Sequence, residues 1–293
     1  PFTPGNIVVY RVGDGSAALS SAATAVFLDE YTPTGTFVQS VPLPTTVSGS
    51  QLRLVASGTS TSEGILSRSA DGQYLIATGY DAAPGTAGVT ASATTTTKRV
   101  IARIDPGKAV NTTTGLTAFS ASNIRGATSS DGTAFWATGA NTGIVYAPLG
   151  MDSTTVSTSV TNTRTAGIFG GQLYVSSGSG TNTFRGVSAV GTGLPTTAGS
   201  TTVRLPGLTD TTNPSTYGFF FADLDAGVAG ADTLYVADDA AGALTKFALV
   251  SGSWVSKGVV STDLDYRGLA GTVSDGVVTL FATRDNSTSP DQI

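Results

Sequence analysis

The chain has 293 residues, 40% hydrophobic and only 12% charged, with a net charge of −5, no Cys and no His. Such a chain can bury a large core and is not disordered, and its acidic balance excludes a phosphate-binding nucleic-acid surface. No apolar run reaches the roughly 18–20 residues of a membrane span, and without His or Cys there is no Ser-His-Asp or Cys-His nucleophile and little basis for a zinc site.

Six short apolar strands recur along the chain, each ending in small and polar residues: NIVVYRVGD (6–14), QYLIATGYD (73–81), TAFWATGAN (133–141), QLYVSSGS (172–179), TLYVADD (233–239) and VTLFATRD (278–285). Tight-turn signals precede the last five: ADGQ, SDGT, FGGQ, AGADT and SDGV. Recurrence at this spacing marks a repeat architecture, and an all-β repeat with Asp-Gly hairpin turns predicts a single β-propeller domain, 1–293. We read six four-stranded blades, a to d outward from the axis, at 6–45, 63–119, 123–160, 164–207, 215–260 and 266–293. The first begins on a b-like strand (6–12) and lacks strand a. The second has EGILSRS (63–69), QYLIATG (73–79), a long Ala/Gly/Thr loop from Asp81 to Thr97, RVIARID (99–105) and a last strand near 112–119. The sixth begins with RGLAGTV (267–273) and VVTLFAT (277–283) and stops before strands c and d. Unpaired strand edges invite pairing, so the expectation is a continuing chain or strands donated by a neighbouring molecule, with self-association or a filament as the outcome.

PFTPGNIVVYRVGDGSAALSSAATAVFLDEYTPTG, GFFFADL…AGADTLYVAD and FRGVSAVGTGLP resemble a group of uncharacterised secreted bacterial propeller-like proteins over nearly the whole chain. The resemblance implies fold and export, and a further c–d hairpin with a closing FRG-type segment; it carries no catalytic residues. The Ser/Thr/Gly/Ala-rich surface, the missing Cys and a start at Pro1 likewise read as a processed extracellular chain.

Three registers could carry chemistry. The residue before the Gly that opens strand a is Glu63, Arg125, Ala166, Tyr217 and Arg267. A ring with Glu63, Arg125, Tyr217 and Arg267 at the channel entrance would hold a carboxylate or sugar hydroxyl, or its members would pair with one another and close the channel. After strand b stand Asp14, Asp81, Asn141, Asp239 and Asp285, either local Asx turns or a mildly acidic rim for cations or sugars. Asp223, Asp225 and Asp232 share the oxygen-rich spacing of a calcium loop without the EF-hand pattern; no cofactor is otherwise expected. Trp136 and Trp254 read as core. Asn111-Thr-Thr and Asn286-Ser-Thr match the glycan acceptor pattern.

With no catalytic apparatus in view, the reading favoured here is a non-enzymatic extracellular binding or assembly module, partnered by other chains or itself and by glycans. The alternatives are a propeller enzyme acting on a sugar or lactone at the axial site, and a lectin-like carbohydrate binder.

Overall fold

The computed structural model describes residues 1–178, 184–208, 214–262 and 265–285. The end of the sixth predicted blade (286–293) and the Asn286 acceptor pattern lie outside them. The described chain is nearly all β, built from antiparallel blade-type sheets, three of them separate and four-stranded, and about six blades fit it. Contacts divide it into two compact units, one of 1–156 with 196–198 and one of 157–195 with 199–293.

In the first unit, β1 (Ile7–Val12), β2 (Ala23–Tyr31) and β3 (Phe37–Pro42) form an antiparallel three-stranded blade with β2 in the middle. A short β4 (Val55–Ser57), not anticipated from sequence, pairs with Ala23–Ala25 of β2. The next blade is β5 (Ser67–Arg68), β6 (Leu75–Tyr80), β7 (Arg99–Ile104) and β8 (Val110–Leu116), and Val55 of β4 pairs with Tyr80 of β6 to join the two. A third follows with β9 (Ile124–Thr128), β10 (Ala134–Gly139), β11 (Ile144–Pro148) and β12 (Thr154–Ser157). Strand a of the second blade is shorter than the expected 63–69. The reason lies in the next blade: the Ile65 N–H donates to the Arg125 carbonyl (3.1 Å) as part of a parallel bridge to Gly126, and the Ala70 and Asp71 N–H groups donate to the Ser129 and Ser130 carbonyls. The inner segment thus spends its backbone groups on the next blade rather than on its own.

In the second unit, one blade is β13 (Ala166–Phe169), β14 (Gln172–Ser177), β15 (Gly186–Val190) and β16 (Thr202–Arg204). The next is β17 (Thr216–Ala222), β18 (Thr233–Asp238), β19 (Ala243–Val250) and β20 (Ser253–Ser261), followed by the hairpin β21 (Asp265–Ser274) and β22 (Val277–Asp285). Gly170-Gly171, Ser251-Gly252 and Asp275-Gly276 each close a two-residue hairpin with both residues at positive φ. That turn matches the strand twist and demands residues tolerant of the left-handed region.

β-branched and aromatic residues fill the strands because they pack on a pleated surface, and both faces of the middle strands are covered. All six residues of β18 are buried, and β10 is buried from Phe135 to Gly139. Trp136 (3% exposed) and Trp254 (6%) are core residues, and Trp254 meets Phe221 edge-on at 5.6 Å.

Neighbouring inner strands touch through glycine. A Cβ on Gly218 of β17 would stand 2.7 Å from the Arg267 carbonyl oxygen and 2.8 Å from the Leu269 nitrogen. These obstacles are backbone and cannot rotate away. Gly218→Ala is therefore expected to cost about 1–3 kcal/mol, read as a lower thermal midpoint. An unchanged midpoint would mean that β17 and β21 do not pack in this way.

Candidate functional site

Glu63 opens the inner segment of the second blade. It is half-buried, and its Oε1 accepts hydrogen bonds from the Tyr80 hydroxyl (2.6 Å) and the Thr90 hydroxyl (2.9 Å). The Ser57 N–H approaches Oε2 at 3.4 Å. Burial raises the Glu63 pKa above the usual carboxylate range, and the bonds from Tyr80, Thr90, Ser60 and Ser57 offset only part of that shift. Burial also raises the phenols of Tyr80 and Tyr10, and the Glu63 charge adds to both shifts. The Tyr10 hydroxyl donates to the Thr78 carbonyl (2.9 Å), and its ring lies where a Cβ on Gly64 would fall, 2.8 Å away.

Behind this site lies Arg99, fully buried at the start of β7. Its guanidinium donates to the carbonyls of Thr90 (3.0 Å), Ser92 (2.8 Å), Thr97 (2.7 Å) and Ser122 (2.7 Å) and sits 5.0 Å from the Tyr80 ring centroid. Burial lowers its pKa, and the charges of Tyr80 and Glu63 oppose that change. Arg99 thus gathers the 81–98 loop so that Thr90 reaches Glu63. Sequence reasoning missed Tyr80, Thr90 and Arg99. The available signal was a long uncharged loop in a chain of otherwise tight turns, which is where function concentrates.

Arg125 stands one residue before Gly126 in β9; its carbonyl receives the Ile65 N–H and the Thr78 hydroxyl (3.3 Å).

In the second unit, Tyr217 and Arg267 come together around a residue the sequence reading did not single out. The Arg164 guanidinium lies 3.8 Å from the Tyr217 ring centroid and that of Arg267 lies 5.1 Å from it. Asp239 bridges the two cations, 3.3 Å from Arg267 Nε and 3.9 Å from Arg164 Nη1. Arg164 also donates to the Ser215 hydroxyl (2.7 Å). Its pKa is lowered by burial first and by the Arg267 charge. Two cations, one shared carboxylate and one aromatic face make a mutually satisfied network. Ala166 begins β13.

The rim residues have separate local roles. Asp14 accepts from the N–H (2.9 Å) and hydroxyl (2.6 Å) of Ser16, an Asx turn that lowers its pKa. Asp81 pairs with Arg53 (2.7 Å). Asn141 donates to the Ser120 carbonyl (2.9 Å). Asp285 closes β22 in register with Asp265.

Asp232 accepts the N–H groups of Leu224 (2.8 Å) and Asp225 (2.6 Å) and the Thr233 hydroxyl (2.7 Å), and Asp225 accepts the Gly227 N–H (2.9 Å). Asp223 stands in the same loop. Among the described residues no three acidic side chains gather closely enough to hold a metal ion, and no helix is long and apolar enough to cross a membrane.

No family model and no curated protein matches the chain. Solved structures do. A Bacteroides fragilis protein described as a candidate 6-phosphogluconolactonase matches at TM-score 0.52 and 14% identity, over 97% of this chain and 76% of its own. A glucose dehydrogenase matches at 0.52 and 12%, over 94% and 92%. The soluble aldose sugar dehydrogenase of Escherichia coli in its apo form matches at 0.52 and 11%, over 96% and 97%. The chain is a β-propeller. The same neighbours correct the expectation of a non-enzymatic module, because they bear the names of enzymes acting on sugars and sugar lactones. The elimination behind that expectation counted residue types. A carboxyl tuned by burial is invisible to such a count.

Two outcomes check this account. The folded Glu63 pKa is raised, so the folded state binds the proton more tightly than the unfolded one. Its contribution to stability is complete below the unfolded carboxyl value and is lost as pH rises through the folded value. The stability difference between wild type and Glu63→Gln should therefore move against the wild type as pH increases from about 4; a pH-independent difference would show an unperturbed carboxyl. Asp239→Ala should cost about 1–3 kcal/mol by leaving two part-buried guanidinium groups without their shared acceptor, whereas Asp14→Ala at its exposed turn should change the thermal midpoint far less.

Proposed function

We propose that this chain is an enzyme acting on a sugar or sugar lactone, with hydrolysis of a lactone as its reaction and Glu63 as the proton-transfer group. The observation that carries this reading is the Glu63 carboxyl: half-buried, held by two hydroxyls and with its pKa raised by burial, the environment in which carboxyls serve as proton-transfer groups. The names of the structural neighbours support the substrate class. In the proposed step a water adds to the lactone carbonyl carbon while Glu63 takes its proton. The ring C–O bond then breaks and Glu63 returns the proton to the departing ring oxygen, giving the open hydroxy acid. Tyr80 and Thr90 hold the carboxylate in place. Arg125, on the adjoining inner strand, is assigned the polarisation of the carbonyl oxygen.

The same reading has the protein working outside the cytoplasm, like the secreted propeller-like group its sequence resembles. Support comes from the absence of Cys and the 12% charged content.

The test is proton release from glucono-δ-lactone followed in a pH-stat, with aldose oxidation by a dye acceptor measured alongside. Wild type should exceed the spontaneous rate, and Glu63→Gln should lower kcat by about 10²–10⁴-fold while melting cooperatively. Dye reduction with no lactone hydrolysis would replace the hydrolytic step by oxidation. Activity on neither substrate class, or full activity in Glu63→Gln, would overturn the proposal.

A further inference from the structure

The second unit contains a cavity of about 520 Å³ between the blade of β13–β16 and the blade of β17–β20. Its volume falls in the range of small-molecule sites, and its make-up is theirs as well: an apolar floor and a few polar groups. Val236, Phe247 and Trp254 supply the floor. Trp254 is held rigidly. Its ring meets Phe221 edge-on, and its backbone N–H donates to the Pro206 carbonyl (2.8 Å), so the wall it forms is built before any ligand arrives.

Among the described residues one cation, Arg185, lines the cavity. It stands immediately before β15, and no carboxylate of the described residues pairs with it. A part-buried guanidinium without an anionic partner favours an anion that can reach it. The nearby carboxylate does not supply it. Asp238 also lines the cavity, but its Oδ1 already accepts the backbone N–H groups of Ser215 (3.0 Å), Ala240 (3.0 Å) and Ala241 (3.1 Å), and its charge acts on Arg164. An apolar floor with one unanswered guanidinium fits a ligand with a carboxylate at one end and an apolar body at the other. A sugar, polar on every side, would leave its hydroxyls facing Val236 and Phe247 unpaired.

We infer that the cavity bounded by Arg185 and Trp254 binds a small amphipathic monocarboxylate, of the aryl or short alkyl class, at a site separate from Glu63. The carboxylate accepts from Arg185, and the apolar body lies against Trp254, Phe247 and Val236.

The experiment titrates 3-fluorophenylacetate into the full chain, followed by ¹⁹F line broadening and by tryptophan fluorescence, with the neutral isostere 3-fluorophenylacetamide as a parallel arm. Saturable binding of the acid is expected, with the amide weaker by about tenfold or more because it cannot form the charge-assisted pair. Arg185→Gln should weaken the acid by a similar factor and leave the thermal midpoint unchanged. Glu63→Gln should leave acid binding unaltered. The inference is overturned by no saturable binding up to roughly 10 mM, which would be weaker than any specific site of this size, by equal binding of acid and amide, or by unaltered binding in Arg185→Gln. Loss of binding in Glu63→Gln would move the ligand to the proposed active site and overturn it equally.

Discussion

Adjacent blades within each unit meet at their inner strands through glycine, and the candidate site residues depend on that close approach. Gly64 lies against the Tyr10 ring and Gly218 against the backbone of Arg267–Leu269, at distances that leave no room for a Cβ. The residue before each glycine is therefore held at the boundary of two blades. A hydroxyl from the preceding blade secures some of these positions: Thr78 donates to the Arg125 carbonyl and Ser176 to the Tyr217 carbonyl (2.6 Å). The same contacts that join the blades thus place Glu63, Tyr217 and Arg267 at blade boundaries.

The two units handle charge at this position in different ways. Around Tyr217 the cations Arg164 and Arg267 are answered by Asp239 at close range, which lowers the cost of taking them from water. Around Glu63 no cation of the described residues forms a direct pair. Arg99 is buried behind the Tyr80 ring and satisfied by neutral carbonyls, and Glu63 is satisfied by neutral hydroxyls. Neutral partners stabilise a charge less than an ion pair does, so burial pushes both groups toward their uncharged forms. A group poised in that way can exchange a proton, whereas a saturated ion-pair network resists doing so.

The turn and strand chemistry of this chain was legible from its residues. Alternating Val, Ile, Phe and Tyr runs, bounded by Asp-Gly and Gly-Gly, name the hairpins, because the turn needs positive φ and the strand needs bulk. The short β4 was not legible: Val55–Ser57 pairs across blades, and no local pattern announces a long-range partner. Nor was the shortening of strand a, which follows from Ile65 bonding to the next blade.

The sequence by itself determined the propeller class and the absence of His- and Cys-based chemistry, since each is a matter of residue type and spacing. Only the tertiary structure decided what Glu63 and Asp239 meet. Thr90 reaches Glu63 from 27 positions away because Arg99 gathers the intervening loop, and Arg164 reaches Asp239 across several strands. A pKa depends on burial and on partners brought together by the whole fold, so the chemistry of Glu63 could not be read from its neighbours in the chain.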